Sequence, residues 1–315
     1  FAGIKIIIDM STKFKGFIYG VGTAVTFGLI PLFTLPLMRE GMQSDSILFY
    51  RFLVSTVALG MMMIAKRESF AIAWGDLPVM LLLSLFYTAS ALFLLYGYEV
   101  MGAGVATTLH FTYPVFVTLL MFILFREKVS WITITAVVLA IAGVAELSLQ
   151  GTTLRLDPYG VVIVLLSALG YASYIVTVNK SRVRNMHSRK LAFYVFAFTT
   201  LAFLAKTGFG EGIQPVHGAW PVFNIIMLAV APTVISNITL LLAVRNIGGT
   251  LTSILGALEP VTAVCIGVLV FGEAFTFNEA VGMVLILAAV SLVILGKGIR
   301  DNLNILLKRI RPRHP

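Results

Sequence analysis

The sequence predicts an all-α membrane protein with ten transmembrane helices, arranged as two inverted five-helix repeats. Three observations predict it. Hydrophobic residues make up 59% of the 315 positions and charged residues 12%, with a mean hydropathy of +0.98, whereas a soluble domain is about 25% charged. The apolar residues fall in runs near the ~20 that span a bilayer as a helix, too long and too free of alternation for barrel strands. Finally, one pattern occurs twice. Gly102, Pro114 and Glu127 recur as Gly248, Pro260 and Glu273, each 146 residues on, and Phe49-Tyr50-Arg51-Phe52 recurs as Phe193-Tyr194-Val195-Phe196, 144 residues on. Duplicated hydrophobic halves mark many transporters, whose site lies where the halves meet.

Ten spans follow in order. The first, 15–38, carries Gly16, Gly20, Ala24 and Gly28 at every fourth position, a spacing that lets helices approach closely. The second, 45–65, holds Arg51 about 9 Å inside its start. The third, 76–98, contributes Tyr87, Ser90 and Tyr96, and the fourth, 103–125, contributes Thr107, His110, Tyr113 and Pro114. The fifth is 131–149. The sixth, 158–179, has Tyr171 and Tyr174, and the seventh, 190–206, follows the repeated Phe-Tyr stretch. The eighth, 220–243, has Ser236 and Asn237, and the ninth, 248–271, has Glu259, Pro260 and Cys265. The tenth is 277–296. The organisation is therefore an N-terminal segment 1–13, a first repeat 14–149, a second repeat 158–296 and a basic tail 297–315. Met10-Ser11-Thr12-Lys13 reads as a natural start, so residues 1–9 read as added sequence. In the tail, Ile299, Leu303, Leu306, Leu307 and Ile310 interleave with Arg300, Lys308 and Arg309; it reads either as an amphipathic helix on an anionic leaflet or as a basic tail that only fixes topology.

Of the 23 Lys and Arg residues, only Arg39, Arg155 and Lys206 fall in outer segments when the N-terminus is cytoplasmic, and Arg51 lies inside a span. All others fall on the inner side, so both termini are expected in the cytoplasm. Five spans per half is an odd number, which turns the second half upside down. The net charge of +9 sits in short connectors and does not point to nucleic acid. The lone Cys265 cannot form an internal disulfide. No metal-ligand spacing, Walker loop or nucleophile elbow occurs, and loops of about a dozen residues leave no room for an enzyme site outside the membrane. No cofactor and no enzymatic activity are expected.

The segments Pro114–Glu127 and Pro260–Glu273 (the second ending Phe-Gly-Glu), with Phe27-Gly28 and Phe49-Tyr50-Arg51-Phe52, resemble the drug/metabolite transporter superfamily and, within it, the EamA-like ten-helix exporters. The resemblance covers nearly the whole chain. Arg126-Glu127 stands where Gly-Glu is usual. The resemblance implies export or exchange of small metabolites, often amino acids or amphiphilic compounds, through a cavity walled by spans one, three, four, six, eight and nine. Relatives that carry sugar phosphates or nucleotide sugars make that the alternative. A membrane-embedded enzyme or a receptor is less favoured.

The candidate site follows from polar groups placed in apolar spans. Glu259 lies near the bilayer centre, where a charge costs at least ~2.5 kcal/mol and so faces a cavity or a partner; protons are the candidate coupling ion. Its repeat mate is Tyr113. His110 could bind the solute or relay protons, or serve as a satisfied structural histidine. Arg51 could neutralise an anionic group, snorkel, or pair with a glutamate. Tyr87, Ser90, Tyr171, Ser236 and Asn237 complete the candidate solute-binding set, each open to the plainer reading of a helix–helix hydrogen bond. Pro114 and Pro260 are candidate hinges. Glu127 and Glu273, at helix C-termini that disfavour acids, are expected to anchor loops or gates through a partner.

Overall fold

The computed structural model describes residues 2–126, 131–150, 153–154, 157–209 and 212–292. The tail at 297–315, Glu127 and Arg155 lie outside the described residues.

The first span opens as α1 (Ala2–Gly28) and continues, after a one-residue break, as α2 (Ile30–Arg39). Pro31 in the first turn of α2 lacks the amide that would continue the ladder. Then come α3 (Ser44–Ala65) and α4 (Leu77–Met101). Gly102, at φ +81°, turns the chain into α5 (Ala103–His110), a backbone geometry that costs a glycine little. The fourth span resumes as α6 (Tyr113–Phe125), and α7 (Trp131–Ser148) closes the first half. Two-residue strands, β1 (Leu149–Gln150) and β2 (Thr153–Leu154), pair antiparallel between the halves.

In the second half, α8 (Pro158–Lys180) is capped by Asp157, whose carboxylate accepts from the Tyr159 amide at 3.1 Å. Next are α9 (Ser188–Lys206) and α10 (Ala219–Ala229), then a π-helical stretch at Val230–Ile235. The chain ends in α11 (Ser236–Leu255), α12 (Leu258–Phe271) and α13 (Phe277–Leu292). Among the described residues seven helical stretches are long and apolar enough to cross a membrane, and three shorter apolar helices fall at 134–146, 258–271 and 277–292. Together they account for the ten expected spans.

α11 is not straight. Gly16 of α1 lies against Asn246 and Ile247, Gly20 against Leu255, and Thr23 Oγ1 donates to Thr239 Oγ1 at 2.8 Å. Gly20 and Thr23 are one turn apart, whereas 239 and 255 would stand about 24 Å apart on a straight helix. The chain therefore doubles back between Ile247 and Leu255, and the second arm leads into the ninth span.

The contacts between the halves are exchange-symmetric. α1 packs along α11 and α4 along α8. Swapping halves carries the first span onto the sixth and the third onto the eighth, so these two are one contact made twice. α3 packs on its own mate α9, and α5 on its mate's partner arm α12. Small residues set the closest approaches, as membrane packing requires. A methyl group on Gly28 would sit 2.8 Å from the Glu259 carbonyl oxygen and 2.5 Å from Thr262 Cβ. The four-residue stripe of the first span is thus a packing seam.

Polar ties hold both ends of the bundle. At one end the Glu273 carboxylate accepts from the amides of Ala103 (2.9 Å) and Gly104 (3.3 Å). An acid that sits badly at its own helix C-terminus caps the N-terminus of α5 instead. Beside it, Arg39 donates to the Phe271 carbonyl at 3.3 Å and stacks on that ring, and Lys206 pairs with Asp45. At the other end Arg189 pairs with Glu68, and Lys190 donates to the Ala71 carbonyl at 2.8 Å.

Candidate functional site

A cavity of about 170 Å³ lies where the halves meet. Arg51, Tyr87, Ser90, His110, Tyr113, Tyr171 and Glu259 all line it, drawn from α3, α4, α5, α6, α8 and α12. Seven residues singled out for their polarity thus come together from both halves, among them the repeat mates Tyr113 and Glu259.

The interrupted helices place these groups. Pro114 and Pro260 were expected to kink continuous spans, but each stands in the first turn of a new helix. The fourth span breaks at Phe111–Thr112 and the ninth at Gly256–Ala257. The physical reason lies at the prolines: each lacks the amide that would bond the carbonyl four residues back, so the chain relaxes into a turn. The Gly256 carbonyl takes the Glu259 amide instead, at 2.9 Å. His110 ends one arm of the fourth span, and Glu259 opens one arm of the ninth.

Arg51 is 4% exposed. Its Nε donates to Thr233 Oγ1 at 3.0 Å, and its guanidinium lies 5.3 Å from the centre of the Phe52 ring. The partner is itself part of a repair. Pro232 removes the donor for the Leu228 carbonyl, and the Thr233 hydroxyl supplies one at 3.0 Å. Ser55 Oγ, which donates to the Arg51 carbonyl at 2.7 Å, also lies 3.2 Å from the Ala229 carbonyl. The π-helical stretch is therefore a break that holds a guanidinium at the cavity edge.

His110 is held from behind. Its Nδ1 lies 3.0 Å from Ser167 Oγ, which donates to the Ser90 carbonyl at 2.6 Å. Its ring sits 5.9 Å from Tyr113 and 5.6 Å from Tyr171, and those two tyrosines meet edge to face at 4.8 Å. The Glu259 carboxylate, by contrast, accepts no hydrogen bond among the described residues and opens on the cavity.

Other expected residues serve elsewhere. Ser236 donates to the Pro232 carbonyl at 2.6 Å and Asn237 to the Thr233 carbonyl at 2.5 Å; both reinforce the π-helical stretch and neither lines the cavity. Thr107 bonds Tyr98 at 3.0 Å, and Tyr174 packs on Tyr87. Gly20, Thr23, Ala24 and Phe27 line the cavity, although the small residues among them carried only a packing signal. Ser167, which fixes His110, carried no signal beyond being a hydroxyl in an apolar span. Among the described residues no cluster of His, Cys, Asp or Glu has the geometry to hold a metal.

Comparison with known proteins agrees with this architecture. A model of the EamA-like transporter family matches residues 14–149 and again 158–295. A Bacillus subtilis (strain 168) protein named as an uncharacterized transporter, YxxF, is 23% identical over 292 residues, covering 91% of this chain and 92% of that protein. A second from the same organism, the uncharacterized transporter YetK, is also 23% identical, over 88% of this chain and 84% of its own length. A solved crystal structure superimposes with a TM-score of 0.63 at 16% identity, over 89% of this chain and 96% of its own, which speaks to the fold alone. With twin matches that together span most of its length, the chain is an integral membrane protein of the EamA-like transporter family.

Proposed function

We propose that the protein moves a small amphiphilic metabolite, of amino-acid size, across the membrane by alternating access. The cavity carries this reading. Its 170 Å³ corresponds to roughly ten water-sized bodies, room for a solute of amino-acid size. Its wall is mostly apolar and aromatic with a few placed polar groups, as solute sites are. Arg51 is the one basic residue among the lining residues, whereas a sugar-phosphate or nucleotide-sugar exchanger wants several cations around its anion.

The modules 14–149 and 158–296 rock against each other, with Pro114 and Pro260 at the flexing joints. Solute binds between Arg51 on one wall and His110, Tyr113, Tyr87, Tyr171 and Glu259 on the other, and Ser90 shapes the floor. Glu259 carries the coupling proton. Both termini face the cytoplasm, on the lysine and arginine bias, and the membrane is the bacterial inner membrane, in keeping with the Bacillus relatives.

The experiment is counterflow in proteoliposomes of purified protein, with amino acids and small aromatic metabolites inside and labelled solute outside. Accumulation above protein-free liposomes is expected, and the exchange that remains in Glu259→Gln should no longer depend on pH. A protein that accumulates nothing from this panel but exchanges a sugar phosphate would overturn the substrate reading. An unaltered pH profile in Glu259→Gln would remove the proton.

A further inference from the structure

The reading above leaves open which charged end of the solute the site recognises, and the hydrogen bonds behind His110 decide it. A carbonyl oxygen can only accept. The 2.6 Å contact from Ser167 Oγ to the Ser90 carbonyl therefore uses the only proton of that hydroxyl. Towards His110 Nδ1, at 3.0 Å, Ser167 is left as an acceptor, so Nδ1 carries the hydrogen. In the uncharged ring the other nitrogen, Nε2, is then bare and is an acceptor. Ser90 Oγ, 3.5 Å from Ser167 Oγ, has no claim on the imidazole.

His110 lines the same cavity as Glu259, whose carboxylate has no donor among the described residues. Tyr113 and Tyr171 stand beside the imidazole, and aromatic faces attract cations. Two hydrogen-bond acceptors, one of them an acid, with aromatic rings beside them make a wall suited to a group that brings N–H donors and a positive charge. Burying a carboxylate without a partner is costly, so the group that completes this wall brings both. Arg51 lines the same cavity and its charge is felt at Glu259, but its Nε donates to Thr233 and it makes no ion pair with that carboxylate.

We propose that the Glu259 carboxylate and His110 Nε2 together hold a protonated primary or secondary amine of the solute, so that the cavity selects amine-bearing solutes. This rests on the cavity being the transport site. It makes His110 a specificity-determining residue whose tautomer is set by Ser167. A trimethylated ammonium, which has charge but no N–H, fits the aromatic faces and fails at Nε2.

The test uses purified full-length protein and matched sets of probes: phenethylamine, its alcohol and its N-trimethyl derivative, with the same sets built on indole and branched alkyl bodies. Binding is read as ligand-induced thermal stabilisation, and movement as counterflow. The amines should bind at least about tenfold more tightly than their alcohols and trimethyl derivatives, about 1.4 kcal/mol. His110→Asn keeps a donor where Nδ1 bonds Ser167 but removes Nε2, and should abolish the preference. His110→Gln, which returns a polar atom near Nε2, should restore much of it, and Glu259→Gln should lose it. Alcohols that bind as well as amines, amines that do not bind, or a preference that survives in His110→Asn would each overturn the proposal. Solute exchange without amine preference overturns this inference alone. Amine preference without exchange overturns the transport reading and leaves the site.

Discussion

Thr233 does three jobs with one hydroxyl. It repairs the carbonyl that Pro232 leaves without a donor, receives Arg51 Nε, and so fixes a buried guanidinium at the cavity edge. Thr233→Val keeps the shape and deletes the hydroxyl. It should cost about 1–3 kcal/mol, the usual cost of stranding a buried polar group, read as a lower melting temperature of the purified protein. Thr233→Ser should stay close to the parent. If Thr233→Val melts like the parent, Arg51 has another anchor. The value of Arg51 was visible in the sequence because a lone cation inside a span must have a reason to be there. Its partner was not, since a threonine in an apolar helix has many possible duties and only the third dimension selects one. The same holds for Ser167 behind His110.

The helices were largely legible, because hydrophobic runs of bilayer length and a twofold motif fix number and order. What the sequence hid was how prolines act. Pro114 and Pro260 read as hinges and Pro232 carried no reading, yet the first two begin new helices and Pro232 sits in a π-helical stretch; the outcome depended on which neighbouring hydroxyl or amide could serve the abandoned carbonyl. Contact between helices gives two predictions. Gly28→Ala would put a methyl group 2.8 Å from the Glu259 carbonyl oxygen, so α1 and α12 must part. Overpacking of this kind should cost about 1–3 kcal/mol and weaken solute binding, both seen in a ligand-dependent melting series; an unchanged series would show that the seam yields freely. Glu273→Gln removes a charge-assisted cap from α5, for which about 0.5–2 kcal/mol is expected. Amide hydrogen exchange at Ala103 and Gly104 should quicken in that variant, and unchanged protection would mean the amides are held by something else.

For the molecule as a whole, the ties between the halves are polar at both ends and tight-packed between. Arg189, hydrogen-bonded to Glu68, holds that carboxyl below its ordinary range. A depressed carboxyl stabilises the fold while it is ionised. Its contribution is therefore fully present above the unfolded value of about 4.3, declines as pH drops below it, and is gone once pH has fallen through the lower folded value. Glu68→Gln should flatten the acid limb of a melting-temperature profile and leave the neutral and alkaline limbs parallel to the parent. An acid limb as steep as the parent's would assign acid sensitivity to other carboxylates.

The two long seams, α1 with α11 and α4 with α8, are near-copies of a single joint. In the alternating-access cycle proposed above, the free energy that separates one facing from the other is then a small remainder between two almost equal sums. On that reading the balance needs no large lever: a change of one methyl group or one hydroxyl on either copy is expected to shift which face the resting protein shows. The duplication thus supplies a second wall for the cavity and, on the same reading, a pivot close to level.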